Sequence, residues 1–298
     1  MDLSNRSSHS LFFYLMMHFK IIGLAVSFAP TTLAMMSKAS QLTRWFRADL
    51  VLIHVGKKDP VKAQTLNKLV NDSGLEQIRV NICWVEGDPA EQILKVCKQE
   101  KVDLLMAGAL KKENLLNHYL GSVARKIMRK ARCSIWMITD PSTEAIPLKN
   151  IVVDAEGNHP MHDILQLACT LTSKEKDASL YVVRELKLLG LALSAREQCT
   201  EAEYDELQQK MEQEETDLVK KELDMIPHQD IAIHIKLLSG KSGFELAQFA
   251  RLKYADLLMI HAPQRKFSFL DRIFTHDQEY IFSDLPCNLL IIQSPVKS

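Results

Sequence analysis

The chain lacks a charge bias, a cysteine framework and a long uninterrupted apolar run. Thirty-seven basic residues balance thirty-seven acidic ones, so no net field draws it to nucleic acid or to an anionic membrane. Six cysteines are spread over 298 residues, without the paired spacing of a zinc site or the density of a disulfide-stapled domain. Cys133 and Cys287 stand directly before apolar runs and read as buried side chains. Residues 11–36 are largely apolar, but His18 and Lys20 interrupt them and Pro30-Thr31-Thr32 reads as a strand-to-helix turn. That falls short of the ~20 apolar residues a membrane-spanning helix needs, and no basic stretch precedes it to make a secretory signal. There is no HExxH. Ser239-Gly240-Lys241-Ser242-Gly243 lacks the glycine at 235 that a Walker-type loop requires. These absences lead us to expect a cytoplasmic protein with no nucleic-acid partner and no stable membrane span.

What the chain has is a segment that occurs twice. Asp103-Leu104-Leu105-Met106-Ala107-Gly108 returns as Asp256-Leu257-Leu258-Met259-Ile260-His261. Each copy leads through a helix-like stretch to a short apolar run behind a cysteine, at 134–138 and 288–292. The repeat predicts two copies of a domain of about 140 residues. Aligned outward, further strands are expected at 20–26 and 149–153, at 49–55 and 179–184, and at 78–85 and 231–237. Most of these runs are apolar on both faces, as in a buried parallel sheet, while the third strand of each copy alternates more. Helical patterns at 31–47, 90–100 and 122–132 separate the strands, with Thr31 or Thr32 as N-cap of the first, so an α/β sandwich is the expected class. The boundaries read as an extension at 1–19, a first domain at 20–140, a proline-bracketed connection at 141–147 and a second domain at 148–298. The second copy is longer by an acid-rich stretch near 200–224. Thr200 and Glu203 resemble a capping box there, and Tyr204, Leu207, Met211 and Leu218 mark one side of a long amphipathic helix. It packs on its own sheet or on a partner.

In an open parallel sheet a ligand sits beyond the carboxyl ends of the strands, where strand order reverses. Gly108 ends the fourth strand, and Gly121-Ser122 opens the next helix. A glycine lets a ligand approach the backbone, and a helix N-terminus with a hydroxyl offers donors to phosphate. The same residues also make an ordinary turn and cap.

Gly108, Lys111, Gly121 and Ser122, with Asp103-Leu-Leu-Met before them and Ala131-Arg132-Cys133 after, resemble the universal stress protein family in its tandem, two-domain form. The family pattern is Gly, two residues, Gly, nine residues, Gly-Ser or Gly-Thr, and Lys111 stands where its middle glycine would be. The resemblance implies two Rossmann-like, adenine-nucleotide-alpha-hydrolase-like three-layer domains, each with a five-stranded parallel sheet in the order 3-2-1-4-5. It also implies an internal pseudo-dimer joined through the fifth-strand edges, with a homo-oligomer or a regulatory protein as the further partner. Nucleotide-binding members hold ATP with Mg2+ balancing its charge. Carried over, Gly108, Gly121 and Ser122 face the ribose and phosphates and Val55 lines adenine. Ser27 replaces the strand-one aspartate, removing a ribose acceptor.

In the second copy Asp154 is the candidate carboxylate, His261 and Phe274 hold the glycine positions, Gln264 stands for the middle glycine and Thr275 for the hydroxyl. Asp154 with His261 is the one acid–base pair to inspect. No catalytic constellation emerges, so the expectation is a stress-response binding or regulatory protein with degenerate nucleotide sites. The alternatives are an ATP-binding protein with slow hydrolysis in the first domain, and a ligand-free structural or partner-binding protein.

Overall fold

A computed structural model describes residues 19–75, 77–111, 118–139, 142–156, 161–186, 200–228, 230–239, 242–262 and 276–293. The chain divides into two compact units. The first runs to Pro147 and takes in Ala262 and the segment from Phe282; the second runs from Leu148 to His261 and includes the helix up to Ile281.

Unit 1 alternates strand and helix: β1 (Ile21–Ala25), α1 (Thr32–Phe46), β2 (Asp49–Val55), α2 (Pro60–Asp72), β3 (Val80–Val85), α3 (Pro89–Gln99), β4 (Leu104–Gly108), a small ribbon of β5 (Leu110–Lys111) and β6 (His118–Tyr119), α4 (Ser122–Lys130) and β7 (Ser134–Ile138). Its parallel strands lie in the order 3-2-1-4-5, counting β7 as the fifth. The middle strands β1, β2, β4 and β7 are buried almost throughout, whereas β3 is partly exposed, as its alternation predicts. Cys133 is buried, and the Cys97 thiol is held protonated by its contact with the Cys133 thiol and by burial. The connection at 142–147 packs on α1: Lys38 Nζ donates to Glu144 O, and Gln41 exchanges hydrogen bonds with the Ile146 backbone at 2.7 and 3.2 Å.

Unit 2 repeats the scheme with β8 (Asn150–Asp154), α5 (Met161–Thr172), β9 (Ser179–Glu185), α6 (Glu201–Leu223), β10 (Ala232–Leu238), α7 (Ser242–Leu252), β11 (Leu257–His261) and α8 (His276–Ser283). Strands β10, β9, β8 and β11 are parallel neighbours in that order. The shared Asp-Leu-Leu-Met has a structural reason. Asp103 accepts from the Lys20 and Ile21 amides at 2.9 and 3.0 Å, and Asp256 from the Asn150 amide at 2.9 Å. In both units this carboxylate clamps the entry of the fourth strand to that of the first.

Two separate five-stranded parallel sheets are not what the chain forms. The second copy's last strand, β12 (Asn288–Ile292), belongs to unit 1, where it pairs antiparallel with β7 through Leu289–Met137, Leu290–Trp136 and Ile291–Ile135. The sheet of unit 1 is therefore mixed. Asn288 Oδ1 accepts from the Thr139 amide at 3.0 Å, and the Gln293 amide donates to Ser134 Oγ at 3.0 Å, fixing both ends of the pairing. This is the edge contact expected of these two segments, and it satisfies backbone groups that an open edge would leave unpaired.

The acid-rich insertion is the 23-residue helix α6, opened by a complete Thr200–Glu203 capping box. It packs on α5 and β10. Tyr204, Leu207 and Met211 are half-buried as expected, but Leu218 is exposed and Val219 and Leu223 are buried in its place. Thr31 likewise occupies the N-cap of α1 without capping it, and the Thr32 hydroxyl donates back to Ser27 O. No helix among the described residues is long and apolar enough to cross a membrane.

Candidate functional site

Between β1 and β4, where the strand order of unit 1 reverses, the carboxyl ends open on a cavity of about 530 Å³. Val26 and Ser27 line it from β1, Ile53, His54 and Val55 from β2, and Ala107 and Gly108 from β4. Helix starts complete the wall: Thr32 and Met35 of α1, Pro89 and Ile93 of α3, and Gly121 to Ala124 at α4.

These helices begin differently. The Asp59 carboxylate accepts from the Lys62 amide at 2.9 Å to cap α2, and Asp88 accepts from the Glu91 amide at 3.0 Å to cap α3. That amide, then Lys126, holds the Asp88 carboxyl below its ordinary range. Helix α4 starts behind Gly121, which has no side chain with which to cap it. The amides of Ser122, Val123 and Ala124 thus have no intrahelical acceptor. They stand at the positive end of the helix dipole, on the cavity wall. Lys126 bridges Asp88 and Glu91 at 3.0 Å each, tying the starts of α3 and α4 together.

Neither glycine of the motif is there for backbone strain. Gly121 has φ −68° and ψ 171°, open to any residue, and a Cβ on Gly108 would meet Met35 Sδ at an ordinary 3.8 Å. Their small size is left for whatever enters the cavity. Ser27, Val55, Gly108, Gly121 and Ser122 all reach this one cavity, and the backbone of Lys111 lies on β5, paired with His118.

The sequence pattern hid His54, because a lone histidine in an apolar strand looks like core. Its Nδ1 lies 3.0 Å from Val26 O. A carbonyl only accepts, so Nδ1 carries the proton and Nε2 of the neutral ring is an acceptor. Phe28 and Trp84 meet the ring edge to face at 4.8 and 4.9 Å. Gly56, at φ +155°, packs against the ring: a Cβ would come within 2.9 Å of His54 Nε2.

The same end of unit 2 is built otherwise. Ile21 pairs with Asp49 as Asn150 pairs with Ser179. That register sets Asp154 level with Ala25, so Glu156, not Asp154, is the counterpart of Ser27. Arg184 stands where unit 1 has His54. Its Nη1 donates to Ala155 O at 2.7 Å, as His54 does to Val26 O. Its Nε donates to Glu215 Oε2 of α6 at 2.6 Å, and Nη2 lies 3.9 Å from Glu156 Oε1. Among the described residues this end of unit 2 holds a space of about 10 Å³ lined by Asp154, Glu156, Glu185 and Glu245 with Val183, Leu238 and Leu246. Burial pushes the Asp154 carboxyl up to about 7 against the hydrogen bond from the Glu156 amide; Glu156 and Glu185 push the same way and Arg184 opposes. His261 is buried at the end of β11. Gln264, Phe274 and Thr275 lie outside the described residues. Among the described residues no group of three or more His, Cys, Asp or Glu side chains is arranged to hold a metal ion.

Residues 18–139 match the model of the universal stress protein family. A solved structure of a functionally unknown protein from Pseudomonas aeruginosa superposes with a TM-score of 0.67 at 16% identity, covering 94% of both chains. A universal stress protein from Archaeoglobus fulgidus gives 0.65 at 10% identity, over 92% of this chain and 98% of its own. The family match is to the first unit, and over both units the likeness is one of fold. A universal stress protein of Methanocaldococcus jannaschii is 22% identical over 145 residues, 42% of this chain and 85% of that protein. The family's sequence model thus falls on the first half, and the fold extends over both.

Proposed function

We propose that the chain is a stress-response regulatory protein in which unit 1 binds an adenine nucleotide and unit 2 has given its site over to its own side chains. The observation that carries this reading is the cavity of about 530 Å³ at the strand-order reversal, faced by the uncapped start of α4. Its volume falls within the roughly 300–1,000 Å³ usual for small-ligand sites. The phosphates would take the free amides of Ser122 to Ala124 and the Ser122 hydroxyl, and Mg2+ arriving with the nucleotide would balance their charge. The base would lie against Val55. Ser27 offers a hydroxyl where the family pattern has a carboxylate, which predicts modest affinity. The division into two compact units supports an internal pseudo-dimer, with one responsive and one closed half.

Calorimetric titration with Mg-ATP tests this. Gly121→Val is compatible with the backbone angles at that position and should weaken binding at least tenfold by crowding the phosphate approach. Ser122→Ala removes one neutral contact and should cost ~2–10-fold. Equal binding by parent and Gly121→Val would exclude this corner. A folded parent that binds no nucleotide would overturn the reading in favour of a ligand-free partner-binding protein.

A further inference from the structure

We infer that His54 supplies the acceptor that Ser27 cannot: its Nε2 receives a hydrogen bond from a donor on the nucleoside part of the ligand. This rests on the nucleotide reading of the unit 1 cavity and names the residue that selects what the cavity holds.

Three observations lead there. The bond from Nδ1 to Val26 O at 3.0 Å fixes the tautomer, so Nε2 presents a lone pair. His54 lines the cavity, and no hydrogen bond among the described residues reaches Nε2. Gly56 holds a backbone conformation that favours glycine, and any Cβ there would intrude on Nε2 at 2.9 Å. The ring is also held in place by Phe28 and Trp84, so the acceptor is pre-oriented.

Unit 2 gives the contrast. There the equivalent carbonyl, Ala155 O, is satisfied by Arg184, whose remaining nitrogens go to Glu215 and Glu156. The structural task is the same in both units. The unused acceptor is present in unit 1 alone among the described residues, and it stands at the open cavity.

An acceptor at the ends of β1 and β2 can meet either the amino group of the base or the 2′-hydroxyl of the ribose. Both are N–H or O–H donors of one nucleoside, and the experiment separates them. Calorimetry is run with ATP, with inosine triphosphate, which lacks the base amino group, and with 2′-deoxy-ATP, against the full-length parent, His54→Asn and His54→Gln. Asparagine keeps a donor near the Nδ1 position for Val26 O and deletes the distal acceptor; glutamine restores an acceptor at the distal position. Thermal melts confirm that each variant is folded.

The expected result is that His54→Asn binds ATP ~3–10-fold more weakly than the parent, while His54→Gln recovers most of the loss. The analogue that lacks the relevant donor should bind the parent and His54→Asn alike, closing the double-mutant cycle. A loss confined to ATP and 2′-deoxy-ATP identifies the base amino group; a loss confined to ATP and inosine triphosphate identifies the 2′-hydroxyl. The inference is overturned if His54→Asn binds ATP within twofold of the parent, or weakens all three nucleotides by one factor. A folded parent that binds none of the three overturns the nucleotide reading and this inference with it.

Discussion

At the end of the first strand both units have a backbone carbonyl to satisfy, and they satisfy it with different side chains. Unit 1 uses His54, a short ring that leaves a cavity of about 530 Å³ beside it. Unit 2 uses Arg184, a longer cation with Glu215 and Glu156 around it, and the space among the described residues there is about 10 Å³. The difference separates what the fold requires from what a ligand requires. The carbonyl needs one donor, and either residue supplies it. Arginine brings further N–H groups, which call for carboxylates. Glu156, level with Ser27, and Glu215 on the inserted helix α6 provide them. One long side chain with its counter-charges therefore does much of the closing, and the inserted helix supplies one of the counter-charges.

The comparison breaks most visibly on the closed side. Arg184→Ala leaves Glu156 and Glu215 partly buried without their cation, and we expect unit 2 to lose about 2–4 kcal/mol of stability; removing one partner of a fully buried pair costs roughly 3–5, and Glu215 retains some solvent. All three tryptophans, at 45, 84 and 136, lie in unit 1. In a urea titration the far-UV dichroism transition of unit 2 should shift while the tryptophan fluorescence transition stays in place. Movement of both by the same amount would deny the two units separate stabilities.

On the open side, His54→Arg should transplant the plug. The guanidinium would occupy the cavity, and we expect a loss of nucleotide affinity of about tenfold or more, roughly 1.4 kcal/mol. Unit 1 has Ser27 where unit 2 has Glu156, so the new cation lacks that counter-charge. Adding Ser27→Glu should recover stability in a thermal melt without recovering binding. Retained binding in the double variant would show that side-chain length does not decide the contrast.

The smallest effect is the pH response of unit 2. The Asp154 carboxyl has its pKa raised from 3.8 to about 7 in the folded chain. The folded state thus binds the proton more tightly than the unfolded state. The stability this gives is fully present below about pH 4 and is lost as pH rises through about 7. Between pH 8 and pH 5.5 this group should add about 1–2 kcal/mol on acidification, discounted for its coupling to Glu156 and Glu185. Asp154→Asn should flatten that part of the unit 2 stability profile. An unchanged slope would place the response elsewhere.

Much of the fold was legible because the signal was redundant. The Asp103 and Asp256 segments mark the same strand twice, and the aspartate in each accepts from backbone amides at the entry of the first strand. Gly121 and Ser122 were legible as a helix start, and the cavity sits there. Phase was harder to read. Ile151-Val152-Val153 is apolar on both faces, so hydrophobicity alone cannot say which residue of Asp154-Ala155-Glu156 is level with Ser27; the paired neighbour β9 decides it. On α6 only Leu218 was misplaced, for a similar reason, since Leu218 and Val219 are both apolar and tertiary contact chooses between them. His54 and Arg184 were invisible because their importance lies in where their second functional group points.

The β7–β12 pairing also bears on how the molecule is made. Strand β12 follows β7 by about 150 residues. At translation rates of roughly 5–20 residues per second, β7 waits on the order of 10–30 s on the ribosome before its neighbour emerges. During that interval unit 1 presents the open edge of Ser134–Ile138, a run of five buried residues that carries no charge within the strand. The strand that ends this exposure comes from the same polypeptide, so the correct pairing depends on chain length and not on concentration. Two nascent chains on one messenger would compete for it only while both edges are open, which makes slowed elongation between the two strands a hazard for this protein.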